Sequence, residues 1–433
     1  MLKCKLINDV AEIAAYFSEA TYRALKDCGW AEHEMLEIND DLCVCVNNLE
    51  TMRTHLQTLP TTVRYFERTQ YFIDSGDPVL TKFGTDCEAI FVQSLANGEK
   101  MLNDRIVESL DKLVKKMNNG TAGYISKLVN DPSAEAETYT KPLLELMDVP
   151  IDSLYGPLLK ANFLRFLELL WLHILDQITA ATINSKSKEA MNFLNIYQSF
   201  GTFIEYFKAG DRGLPREVIE GERYQSVKRK MFCYQLSTQE LIDTFLVEVV
   251  NMHSTMTATP YGTLTIRSHY DRKTGTLVVE VLHARDVIPM DTNGFSDPFV
   301  VIRFLPARTF PNTLTGKTAV VKKSLDPQFE ERFEFEIPVD KCTKESSVIY
   351  FALMDHDVMF QNEVAGEAFL PLNKLPGLRG EQTKNFAGLK EVTLPMLHPK
   401  LMDEGILADI IEILKSRDHQ KEGSEFLSTL FID

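Results

Sequence analysis

The chain has 433 residues, 44% hydrophobic and 25% charged, a globular composition long enough for two or three domains. Its formal net charge of -16 leaves no basic surplus to release phosphate counterions, which argues against general nucleic-acid binding and makes any membrane contact local or dependent on something that cancels charge. Seven cysteines, an odd number without paired CxxC spacing, argue for a reducing compartment and against structural zinc.

At the N-terminus Asn8, Asp9 and Glu12 interrupt any apolar core, so no secretory signal is expected and the protein is placed in the cytoplasm. Asp9-Val10-Ala11-Glu12 offers a capping box, and Val10, Ile13, Phe17 and Ala24 follow at helical spacing to an end near Cys28-Gly29. His33 to Thr58 reads as a second helix stopped by Pro60. A longer pattern from about Phe83 to Met117 closes at Asn118-Asn119-Gly120, and Gly120 to Thr140, with Asp131-Pro132, reads as a connection.

After Pro150, Leu158, Phe163, Phe166, Leu167, Leu170, Ile174 and Ile178 form a broad apolar face with Trp171. Arg165, Glu168, His173 and Asp176 make this stretch too polar for a membrane span, so it reads as a core helix. Asn192 to Phe207 continues the helical pattern, and Ala209-Gly210-Asp211-Arg212-Gly213-Leu214-Pro215 breaks it. Glu217 to Leu236 is a further helix, and Ser237-Thr238-Gln239-Glu240 is a second capping box leading into Leu241, Ile242, Phe245, Leu246 and Val249. Long helices with short breaks predict antiparallel bundles stacked end to end.

The pattern then changes to strands. Leu277 to Leu282 is followed by Asp291 and Asp297, and Val348 to Met354 by Asp355, Asp357 and Glu363, so both acidic groups fall on loops leaving strands. Five carboxylates at one sheet edge would repel one another unless a hard cation screened them, and Ca²⁺ takes six to eight oxygen ligands in flexible geometry. Asp-Pro and Asn-Gly are also ordinary turn formers, so either acidic loop by itself is equally well a solvated turn.

From about Pro260 to Pro395 the chain resembles a C2 domain, an eight-stranded β-sandwich with calcium loops gathered at one end. Asp291 and Asp297 match its first calcium loop, Asp355, Asp357 and Glu363 its third, and Lys322-Lys323-Ser324-Leu325-Asp326-Pro327 through Phe335 its internal turn and strand. The family usually has Asp where Glu363 stands, so the resemblance implies a second calcium position that is weaker or differently shaped.

Val358, Met359 and Phe360 form an apolar loop tip between the third-loop acids, and a membrane would accept them for roughly 2 to 3 kcal/mol per large side chain at most. Phe295 on the first loop is a further membrane candidate, with packing under its own loop as the alternative. Lys317, Lys322 and Lys323 are either a basic strand face for acidic phosphoinositides or a solvated charged strand. Beyond the sandwich, Leu407, Ile410, Ile411 and Leu414, then Phe426, Leu427, Leu430 and Phe431, make a short amphipathic tail whose acidic character favours docking on the bundle over a membrane interface.

Phe207 to Pro215, Tyr224 and Leu236-Ser237-Thr238-Gln239-Glu240-Leu241-Ile242, followed by a C2 domain, resemble the end of the MUN region in the Unc-thirteen family of vesicle priming factors. The resemblance implies docking and priming of vesicles, anionic phospholipid and SNARE proteins such as syntaxin as partners, and a peripheral location at the plasma or vesicle membrane. No SNARE-contact residue carries over. The domain reading is a helical bundle at 1–131, a second at 132–257, the C2 domain at 258–397 and the tail at 398–433.

No catalytic pattern survives inspection. Gly316-Lys317-Thr318 lacks the upstream glycine of a phosphate loop, Gly294-Phe295-Ser296-Asp297-Pro298 lacks the second glycine of a nucleophile elbow, and His33-Glu34 has no second histidine at zinc spacing. Two functions therefore stand: a calcium-dependent membrane tether, or a calcium-independent helical scaffold whose C2 domain binds protein.

Overall fold

A computed structural model describes residues 2–27, 40–185, 190–291, 293–311, 314–357, 362–380, 386–398 and 405–430. It is the expected all-α region followed by an eight-stranded sandwich and a helical C-terminus. The chain divides into two compact units, Met1–Met231 and Phe232–Asp433.

In the first unit run α1 (Leu2–Asp27), α2 (Asp40–Thr62), α3 (Tyr65–Ile73), α4 (Pro78–Lys116), α5 (Asn118–Asn130), α6 (Glu137–Tyr155), α7 (Lys160–Asn184), α8 (Leu194–Lys208) and the single turn α9 (Arg216–Ile219), and α10 (Glu222–Gln235) crosses the division. The 39 residues of α4 span about 58 Å, and α1, α2, α3 and α7 pack along it. Its buried seam, Gly84, Cys87, Phe91, Leu95, Gly98, Leu102, Ile106, Ser109 and Leu113, steps by three, four and four residues in turn. That 11-residue repeat lies close to the natural helical period, so the seam stays on one face of a nearly straight helix. Gly98 sits where a Cβ would stand 3.1 Å from Leu56 and 3.3 Å from Ala14, so its missing side chain lets α1 and α2 approach together.

α7 is long and apolar enough to cross a membrane by composition, yet Phe163, Phe166, Leu170, Trp171, Ile174 and Ile178 are buried in the unit. Trp171 donates its indole N–H to the Ile219 carbonyl at 2.9 Å and lies among the rings of Phe203, Phe207 and Tyr224. At the other end of the helix Asn162, wholly buried, donates to the Val46 carbonyl, and Arg165 reaches Glu50 of α2 at 2.7 Å.

Two expectations fail here. Gly120 to Thr140 is not a connection: α5 fills most of it, because Ile125, Leu128 and Val129 bury completely at helical spacing and outweigh the glycine. The core helix expected after Pro150 does form, as α7 from Lys160, while α6 holds Pro142 and Pro150 in its interior as Leu143, Met147 and Leu154 pack. Pro60 likewise lies within α2, whose last turn runs on to Thr62.

The second unit holds α11 (Thr238–Thr255), β1 (Thr263–Asp271), β2 (Thr276–Arg285), β3 (Pro298–Leu305), β4 (Gly316–Lys317), β5 (Gln328–Glu336), the single turn α12 (Val339–Cys342), β6 (Val348–Asp355), β7 (Glu363–Pro371), β8 (Val392–Pro395), α13 (Gly405–Ser416) and α14 (Lys421–Thr429). The strands form two antiparallel sheets, ordered β5-β2-β1-β8 and β4-β3-β6-β7. Ile349, Phe351 and Leu353 of β6 enter the core between them with Val279, Ile302 and Phe335.

The alternate residues Val348, Tyr350 and Ala352 are buried too, so both faces of β6 are covered. α11 packs on β7 there, with His253 edge-on to Phe369, and Arg303 of β3 donates to the Thr429 carbonyl of α14. The capping box at Ser237 forms as expected, and α13 and α14 dock on α11. Arg417, 3% exposed, locks this layer by donating to the carbonyls of Tyr234 and Leu236 at 2.8 Å each.

Candidate functional site

Strand register brings the acidic groups to one end of the second sheet. Pro298 pairs with Asp355, and Asp355 with Glu363, so Asp297, Asp355 and Glu363 stand at the ends of β3, β6 and β7, neighbours about 4.8 Å apart strand to strand. The Asp297 N–H donates to Asp355 Oδ1 at 2.6 Å, and the His356 N–H to the Asp297 carbonyl at 3.0 Å. From the turn after β4, the Lys323 N–H donates to Asp297 Oδ1 at 2.7 Å.

The loop before β3 is a compact turn. Gly294 has φ +81°, its N–H reaches the Asp291 carbonyl, Asp291 receives a weak 3.4 Å bond from the Asn293 amide, and Asn293 Oδ1 accepts from the Phe295 N–H at 2.8 Å. Ser296, completely buried, pins that loop: its hydroxyl accepts from the Met290 N–H and donates to the Ile288 carbonyl, and its own carbonyl accepts from the Ser324 N–H. Sequence reasoning treated Ser296 only as a rejected nucleophile. The available signal was a small hydroxyl residue between two turn-forming acids.

Asp355 is 6% exposed, and its carboxyl is held above the usual range. Burial is the main cause, opposed by the Asp297 N–H and reinforced by the charges of Asp291, Asp297 and Glu363. The four carboxyls thus share one field. In kind the donor set suits a hard, oxygen-binding cation; in spacing, no group of three or more His, Cys, Asp or Glu among the described residues is close enough to hold a metal ion.

Of the remaining expected residues, Asp357 lies two beyond Asp355 and is half-buried, and Phe295 is 45% exposed on its loop. Val358, Met359 and Phe360 fall outside the described residues. The three lysines do not share a strand. Lys317 lies on β4, its ammonium 4.2 Å from the centre of the Phe299 ring, whereas Lys322 and Lys323 are exposed on the following turn beside Asp297.

A family model described as "C2 domain" matches residues 275–386. Human BAI1-associated protein 3 is 27% identical over 99% of this chain and 35% of its own length, and human protein unc-13 homolog D is 27% identical over 99% of this chain and 38% of its own. The chain therefore spans little more than a third of these relatives. A solved C2 domain of RIM from Drosophila is similar to 32% of this chain over 98% of its own length, at 16% identity and a TM-score of 0.26. The homologues of this chain, over 99% of its residues, are thus members of the Unc-thirteen (unc-13) family, and its residues 275–386 are a C2 domain.

Proposed function

We propose that this chain serves regulated vesicle exocytosis as part of a priming factor, its C2 domain engaging anionic phospholipid under calcium control and its helical unit binding SNARE proteins such as syntaxin. The observation that carries the calcium reading is the register that gathers Asp297, Asp355 and Glu363 on adjacent strand ends within the field of Asp291. Asp291, Asp297, Asp355, Asp357 and Glu363 are the residues that would hold the ion. Calcium bound there would cancel the charge that otherwise repels an anionic membrane. Phe295, Val358, Met359 and Phe360 would then enter the lipid, and Lys317, Lys322 and Lys323 would meet phosphoinositide headgroups. The SNARE partnership and the peripheral cytoplasmic location rest on the family resemblance.

A second reading has its own support. Because Asp355 Oδ1 already accepts from the Asp297 N–H and Asp297 Oδ1 from the Lys323 N–H, a calcium-independent C2 domain used for protein interaction fits the same geometry. Sedimentation with phosphatidylserine liposomes separates the two. Under the first reading wild type binds in calcium and not in chelator, and Asp355→Asn with Asp357→Asn abolishes the calcium response. Equal binding by wild type in calcium and in chelator would hand the function to the second.

A further inference from the structure

The stretch Phe207 to Pro215 has a structural role in the helical unit that the function above does not use. After α8 the chain turns through three successive left-handed residues, Ala209 (φ +47°), Gly210 (φ +58°) and Asp211 (φ +75°). Two of them are not glycine, so the backbone there is strained. A Cβ on Gly213 would lie 2.1 Å from the Phe207 carbonyl oxygen, while the N–H groups of Gly213 and Leu214 close the turn on Lys208 and Phe207. This strained turn walls a cavity of about 410 Å³, within the range of about 300–1,000 Å³ typical of ligand pockets.

The cavity has an apolar floor and an acidic mouth. Phe163, Leu167 and Phe207, all buried, form the floor, and Tyr155, 55% exposed, stands edge-on to Phe163 at 5.3 Å. Asp148 and Asp152, one helical turn apart on α6, face it with Glu205 of α8, and Arg212 supplies one positive charge against these three. A like-charge pair at that spacing is intrinsically unfavourable, which leaves a surplus of negative charge beside aromatic faces. Tyr206 donates to Asp148 Oδ1 at 2.8 Å; its phenol is pushed up chiefly by burial, then by that bond and by the charges of Asp148 and Asp152.

We propose that this cavity binds an arginine or lysine side chain, with an adjacent apolar residue, from an amphipathic segment of a partner protein. The cation would sit among Asp148, Asp152 and Glu205 within reach of the Tyr155 and Tyr206 rings, and the neighbouring apolar residue on Phe163 and Leu167. Both charge complementarity and the aromatic lining favour a guanidinium over a neutral group of the same shape.

Fluorescence anisotropy on the full chain in chelator tests this, with a fluorescein-labelled peptide of two leucines, an arginine and two leucines and its citrulline counterpart. Wild type is expected to prefer the arginine peptide by about tenfold or more. Asp148→Asn with Asp152→Asn should bring the preference close to one, while Glu168→Gln, on an exposed position of α7 outside the cavity, should keep it. Both aspartates are exposed, so the double variant is expected to retain its circular dichroism. Equal affinity of wild type for the two peptides overturns the proposal, as does an unchanged preference in the double variant. Binding of phosphatidylcholine vesicles that the double variant loses, without arginine preference, also overturns it and assigns the cavity to a choline headgroup.

Discussion

The helical unit and the sandwich unit each bury a glutamate and hold it in opposite charge states. Glu50 of α2 is 5% exposed: burial pushes its carboxyl up, but hydrogen bonds from Arg53 and Arg165, with their charges, outweigh this and hold it below the usual range. Glu367 of β7 is completely buried under the helical layer, and burial pushes it up to about 8. Its side-chain partner among the described residues is the Tyr350 hydroxyl, which donates to Oε1, while Oε2 is buried without a hydrogen bond. Burial alone therefore does not set the state of a carboxyl. A guanidinium decides it where one can reach, and an apolar sheet leaves the acid protonated.

The largest expected effect breaks the first half of that contrast. Glu50→Ala removes one acceptor from two arginines, whose side chains are 18% and 24% exposed, and should destabilise the helical unit by about 3 kcal/mol in a denaturant melt. A loss below about 0.5 kcal/mol would show a solvated surface network and end the comparison. Because Glu50 titrates below its unfolded value, its contribution is present above the ordinary glutamate range near 4.3 and is lost as pH falls through the lower folded value.

Glu367 has the opposite sign and, at mildly acid pH, a smaller expected effect. Between its unfolded value near 4.3 and its folded value of about 8, the folded state binds the extra proton, so stability falls as pH rises across that window. Glu367→Gln should flatten this slope and leave the sandwich unit more stable than wild type by about 2 kcal/mol at pH 6, with little difference at pH 4.5. Parallel slopes for the two proteins in melts between pH 4.5 and 8 would mean that the acid is ionised in the fold.

These glutamates also show what was legible in the sequence and what was not. The turn to strands, the acidic loops and the capping box were readable because each depends on residues close in sequence. Docking of the tail on helices was readable too, but the covering of the second sheet by that layer was not, because it brings α11, α13 and α14 together across the whole sandwich. One local trace of it existed: Val348 to Met354 is apolar at every position, where a strand with one solvated face would alternate. The region around α5 misled for the converse reason, its glycines and Asp131-Pro132 hiding the helical spacing of Ile125, Leu128 and Val129. At the acidic end the register was recoverable, whereas the pin at Ser296 joins segments that only the folded loop brings together.

A third glutamate, Glu240, completes the comparison at the solvent-exposed extreme. Its carboxylate accepts from the Ser237 hydroxyl and from the Ser237 N–H at 2.8 Å, and these bonds, the side-chain one first, hold it below the usual range. In return Ser237 Oγ accepts from the Glu240 N–H at 3.2 Å, so two N–H groups at the start of α11 are satisfied reciprocally. Ser237→Ala removes the cap but leaves the packing of Leu241, Ile242 and Phe245 intact, so it should cost about 1 kcal/mol. Ser237→Gly should recover most of that loss, and Ser237→Asp nearly all of it, because the N-terminal end of the helix favours a negative acceptor. If the alanine variant melts with wild type, α11 is held by its layer alone, and exposed hydrogen bonds contribute nothing measurable beside the two buried acids.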